Sequence, residues 1–124
     1  RWAAEIGAQR VRLPVAELAI SDRSVLSELE NNLVPALCAA QETGVWIALD
    51  ASRGGTPLAQ LVARIAHPQL GIAYDTGIAA SHGLDVASEL GTVLPWLCEL
   101  GIGDANKDYT FVVQTLRLPG CQWQ

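Results

Sequence analysis

Leu70-Gly-Ile-Ala-Tyr74, closed by Asp75, is a short apolar run that ends on a carboxylate. Without polar alternation, such a run predicts a strand buried on both faces, as in parallel sheets covered by helices. The same arrangement recurs on either side. Val45-Trp-Ile-Ala-Leu49 ends on Asp50, and Leu100 to Gly103 ends on Asp104. Arg10-Val-Arg-Leu-Pro-Val15 supplies an earlier strand. Starts near residues 10, 45, 70 and 100 are each separated by about one βα unit.

The intervening segments carry helical spacing. Leu26, Leu29, Leu33, Leu37 and Ala40 predict a helix over Ser24 to Thr43, with Ser24 as N-cap and Gly44 as its stop. Pro35 predicts a bend or a division near Asn31-Asn32. Ala51 to Thr56 is a Gly-rich loop, after which Pro57 opens a helix to Ala66 with Leu58, Leu61, Val62 and Ile65 as its buried stripe. A loop over Thr76 to Asp85 and a helix over Val86 to Glu99, carrying Pro95, follow the third strand. Trp2 to Ile6 reads as the end of a helix closed by Gly7, and Tyr109 to Val113 reads as extended. The pattern predicts an α/β chain of parallel βα units, with no linker dividing it.

The chain has 124 residues, half of them hydrophobic and 17% charged, which argues against disorder. No apolar run reaches the roughly 18 residues of a membrane span. With 13 acidic and 8 basic side chains the net charge is −5, and the basic residues are scattered. That balance argues against nucleic acid as a partner. Cys38, Cys98 and Cys121 are odd in number and far apart, with no zinc spacing; Cys38 and Cys98 sit in apolar stretches read as helical and buried. A reducing, cytoplasmic compartment is the expectation. The chain opens without methionine, which suggests a piece of a longer one. The tryptophans at 2, 46, 96 and 123 read as packing residues.

Asp50, Asp75 and Asp104 occupy equivalent places after their strands. In a barrel of parallel strands those ends form the active-site face. Carboxylates gathered there repel one another unless a cation or a proton offsets the charge, and oxygen ligands favour Mg²⁺, Mn²⁺ or Co²⁺. The plain alternative is that each aspartate caps the next helix or closes an Asx turn. His82 follows Asp75 and is a candidate substrate contact; His67, between a helix and a strand, belongs to the opposite end. Arg53 lies in the Gly-rich loop, where backbone N–H groups at a helix start could hold a phosphate, although no nucleotide fingerprint is present.

His67-Pro-Gln-Leu-Gly-Ile-Ala-Tyr-Asp-Thr-Gly77 resembles the sixth strand of the sugar phosphate isomerase/epimerase family, the xylose isomerase-like TIM barrels, where the form is "hpnlgi-x-x-D-x-x-H". Gly44 to Asp50 resembles the fifth strand, "Gv-x-laLE", and Leu100 to Asp104 the seventh, "vHlkD". Leu118-Pro-Gly120 is a fainter likeness to the "LGeG" element before the eighth. The likeness covers nearly the whole chain but only about half of a (β/α)8 barrel. It implies an α/β partial TIM barrel, with a small carbohydrate as substrate and the remainder of the barrel, or a second copy, as partner.

The resemblance implies metal-assisted proton transfer beside a sugar carbonyl. Asp75 would be a metal ligand, Asp50 both ligand and proton acceptor, and His82 and Arg53 substrate contacts. Several positions depart from the pattern. Asp50 stands where the family has glutamate, Ile78 where it has the histidine after Asp75, and Gly101 where it has the histidine of the seventh strand. These changes are what the alternative reading expects: a non-catalytic relative with a decayed metal site, acting as a binding or scaffold protein. The related DNA-repair endonuclease branch uses many histidine ligands, and two histidines with an acidic balance argue against it.

Overall fold

The computed structural model describes residues 1–15 and 22–103. Asp104, Tyr109–Val113, Leu118–Gly120, Cys121 and Trp123 lie outside the described residues. Among those described, a one-turn helix α1 (Trp2–Glu5) leads into β1 (Arg10–Pro14), and α2 (Arg23–Thr43) into β2 (Trp46–Asp50). Helix α3 (Thr56–Ile65) precedes β3 (Leu70–Asp75); α4 (Thr76–Ser81), α5 (Val86–Val93) and a 3₁₀ turn (Leu94–Trp96) precede β4 (Leu97–Gly101). The strands form one parallel sheet in the order β1-β2-β3-β4, as expected for consecutive βα units. No described helix is long and apolar enough to cross a membrane.

The core lies between the sheet and the helices. Ile47 and Leu49 of β2, and Ile72 and Tyr74 of β3, pack with Leu33, Leu37 and Ala40 of α2 and with Leu58, Leu61 and Val62 of α3. Helix α2 runs unbroken through Pro35, because its buried stripe continues to Ala40 on both sides of the proline. Tertiary packing of that stripe outweighs the one lost backbone bond. Its N-cap is Asp22, not Ser24: the Asp22 carboxylate accepts the Ser24 N–H at 2.8 Å. Gly44 closes the helix at φ +69°, a left-handed conformation that favours glycine.

Three further expectations change. Residues 76–81 form a helix instead of opening a long loop, since the Asp75 carboxylate accepts the Ile78 N–H at 2.9 Å and caps it. The helix predicted over Val86 to Glu99 stops at Val93, where the 3₁₀ turn containing Pro95 begins; β4 therefore starts at Leu97 instead of Leu100. Cys98 is consequently a strand residue, and Cys38 is exposed. Trp2 and Trp46 are exposed as well, leaving Trp96 as a tryptophan that packs against the core.

Register decides which side chains share the face turned away from the helices. Arg12 pairs with Ala48 and Ala48 with Gly71; Pro14 pairs with Asp50 and Asp50 with Ala73; Ala73 pairs with Glu99 and Asp75 with Gly101. Paired residues point to the same side. Arg10, Arg12, Asp50, Asp75 and Glu99 therefore lie on one face, opposite the apolar core.

Candidate functional site

A flat sheet would hold β1 and β4 about 14 Å apart, three strand spacings. Yet Arg12 of β1 reaches both β2 and β4. Its Nε and Nη2 donate to Asp50 Oδ2 at 3.3 and 3.0 Å, and its Nη1 donates to Glu99 Oε1 at 3.2 Å. Arg10 Nη1 lies 3.7 Å from Glu99 Oε2. Between them on that face stand Ala48, Gly71 and Ala73, all small, which gives the guanidinium passage. The contact requires a curled sheet, concave on the charged face, as in the interior of a barrel.

Asp50 and Asp75 end adjacent parallel strands at the same mouth of this arc, as their positions predict. Ser52 links them. Its N–H donates to Asp50 Oδ1 at 2.9 Å, an Asx turn, and its Oγ accepts the Asp75 N–H at 2.9 Å. Ser52 is buried to 1% exposure. Burial alone would push the Asp50 carboxyl up. Hydrogen bonding by the Ser52 hydroxyl and N–H, together with the Arg12 charge, outweighs it and holds Asp50 below the usual carboxylate value. The two carboxylates thus take the roles of Asx turn and helix cap while standing side by side at the strand ends.

Pro14, Val15, Asp50, Ser52, Arg53 and Ile78 line a cleft of about 370 Å³ at this mouth. That volume lies in the range of small-molecule sites. Arg53 is exposed at its rim, and Ile78 presents an apolar surface where a donor histidine was sought. His82 is exposed at the end of α4, outside the residues lining the cleft; its Nδ1 lies 2.8 Å from the Ile78 carbonyl oxygen. His67 lies at the far end of the sheet, where its Nδ1 accepts the Gln69 N–H at 3.1 Å. At the N-terminus of α3 the Gly55 N–H donates to Glu89 Oε2 at 2.6 Å, so a side-chain carboxylate from α5 already fills the place considered for a phosphate.

Sequence reading missed Arg12, Ser52 and Glu99. The period-two spacing of Arg10 and Arg12 in a strand signals two cations on one face. Glu99 is hidden in the sequence because the helical pattern from Val86 extends over it, whereas it lies in β4.

The described donors do not make a metal centre. No group of three or more His, Cys, Asp or Glu side chains converges among the described residues. Both Asp50 oxygens are engaged by Arg12 and Ser52, one Asp75 oxygen caps α4, and Ile78 and Gly101 supply no ligand.

No protein-family model matches the chain, and no curated protein matches it by sequence. Solved structures do. The xylose isomerase domain protein from Planctomyces limnophilus superposes with a TM-score of 0.67 at 20% identity, over 80% of this chain and 37% of that one. The 3-keto-D-glucoside 4-epimerase from E. coli gives a TM-score of 0.70 at 14% identity, over 93% and 54%. A D-tagatose 3-epimerase-like protein gives 0.63 at 18% identity, over 93% and 53%. The chain thus spans between 37% and 54% of the length of these structures. Four consecutive parallel strands joined by helices, curled with their charges inward, have the fold of a partial xylose isomerase-like TIM barrel.

Proposed function

We propose that the strand-end mouth binds a small carbohydrate without metal-assisted turnover. The observation that carries this reading is the Arg12–Asp50 pair. Asp50 holds the position expected for the proton acceptor, but its Oδ2 accepts two guanidinium N–H bonds and its Oδ1 accepts a backbone N–H. A carboxylate so stabilised in its charged form is a weak base. The cleft beside it offers Arg53 for hydroxyl or phosphate groups, Asp50 for hydroxyl groups, and Pro14, Val15 and Ile78 for the apolar face of a sugar ring. Likeness to sugar epimerase structures supports the substrate class at the level of fold.

The test is NMR in D₂O with the protein, a panel of aldoses, ketoses and sugar phosphates, and Mn²⁺ or Mg²⁺ present or absent. Saturation transfer to a sugar, unchanged by metal and without deuterium entering the carbon beside its carbonyl, is the expected result. Metal-dependent deuterium incorporation that disappears in Asp75→Asn would establish the isomerase/epimerase reading instead. Absence of transfer to every sugar overturns binding.

A further inference from the structure

We infer that a second copy of this chain docks on the two open edges of the sheet, so that two four-stranded arcs close one eight-stranded barrel. Among the described residues no strand pairs with the outer side of β1 or of β4. Alternate backbone N–H and C=O groups of such an edge strand point away from the sheet, ready to pair with another chain. All four strands run the same way. A two-fold axis along the axis of the arc keeps that direction and sets β4 of each copy parallel to β1 of the other. Both junctions are then identical and no edge is left. The curl fits this count. With Arg12 of β1 reaching Glu99 of β4, the arc superposes over 93% of the chain on about half the length of an epimerase structure, and the closed barrel of this fold has eight strands.

Charge and shape agree at the junction. On the concave face β1 carries Arg10 and Arg12 and β4 carries Glu99, so unlike charges would adjoin across it. Arg10 lies 3.7 Å from its own Glu99 and keeps a side chain 41% exposed, able to turn to a second carboxylate. On the convex face Val11 and Leu13 are only half-buried, and with Ala36 and Ala39 they line an apolar groove of about 210 Å³ beside the same edge. The cleft at the mouth also reaches this edge, since Pro14 and Val15 line it; β4 of a second copy would stand beside them.

Sedimentation equilibrium of the full chain over a dilution series, with no sugar present, tests this apart from the reading above. Twice the chain mass is expected, with a melting temperature that rises with concentration. Val11→Asp puts a charge into the junction, at a position that a single copy leaves half-open. It should weaken the dimer roughly tenfold or more while keeping the circular dichroism of the unsubstituted chain. Amide exchange separates edge pairing from any other contact. The outward N–H groups of β1 and β4 should exchange on the order of tenfold more slowly in the dimer than in the chain dissociated by dilution or by Val11→Asp, the scale of one hydrogen bond each. A single-chain mass at every concentration overturns the inference, as does a closed species of more than two copies. So does a dimer whose β1 and β4 amides exchange as fast as those of the dissociated chain, or a folded Val11→Asp that pairs as tightly as the unsubstituted chain. If Val11→Asp fails to fold, the mass and amide exchange of the unsubstituted chain decide alone.

Discussion

Ser52 Oγ accepts the backbone N–H of Asp75 at 2.9 Å, although Ser52 follows β2 and Asp75 ends β3. Because the Ser52 N–H also serves Asp50, this serine fixes the relative height of the ends of β2 and β3. Ser52→Ala leaves the part-buried Asp75 N–H without its acceptor, beside a side chain only 1% exposed. A loss of about 1–3 kcal/mol in unfolding free energy is expected. Urea denaturation measures it, with the midpoint moving and the slope unchanged.

Acid stability depends on Asp50. Burial opposes its ionisation, but Ser52 and Arg12 prevail, so the folded carboxyl titrates lower than the unfolded one, near pH 3.9. Its contribution is therefore complete above that pH and is lost as pH falls through the folded value. Asp22, held low chiefly by its side-chain bond to Ser24, acts in the same direction. The stability difference between the unsubstituted chain and Asp50→Asn should be largest near neutrality and shrink below about pH 4. Melting curves from pH 7 to pH 2 give that difference; one that grows toward acid contradicts the assignment.

Gly101 and Asp75 fit each other closely. A Cβ at Gly101 would lie within contact of Asp75 Oδ2 and 3.0 Å from its Cγ. Gly101→Ala is expected to cost about 1–3 kcal/mol through overpacking. In an Asp75→Ala background the cost should fall, and a double-mutant cycle would report the coupling. Additivity of the two substitutions would mean the clash is relieved elsewhere.

Tyr74 is fully buried, and its hydroxyl has no hydrogen-bond partner among the described residues. Burial, with Glu89 and Asp85 nearby, pushes its phenol far above the ordinary value. With no partner for that hydroxyl among the described residues, Tyr74→Phe should be neutral or stabilising. Thermal melting of the variant checks this; a loss of more than about 1 kcal/mol would reveal a partner for the hydroxyl.

Much of the scaffold was legible because apolar runs and helical stripes repeat. Leu58, Leu61 and Val62 lie buried where the spacing placed them, and β3 ends on Asp75 as read. The misreadings arose where a single side chain decides local structure. Asp75 starts α4 directly by capping it, and Pro95 ends the preceding helix early enough to turn Glu99 into a strand residue. The meeting of Asp50 and Asp75 at one mouth follows from strand phase alone. The charge state of that mouth does not, because Arg12 and Glu99 are 87 positions apart and meet only after the sheet curls.

The two outer strands of the sheet share no ladder, yet Arg12 ties one to the other through Glu99 and anchors midway on Asp50. It works as a tie-rod spans an arch, resisting flattening from within. Stiffness of the arc then resides partly in charge, and concentrated salt, which weakens such pairs most where water reaches them, would let the arch relax before its apolar backing comes apart.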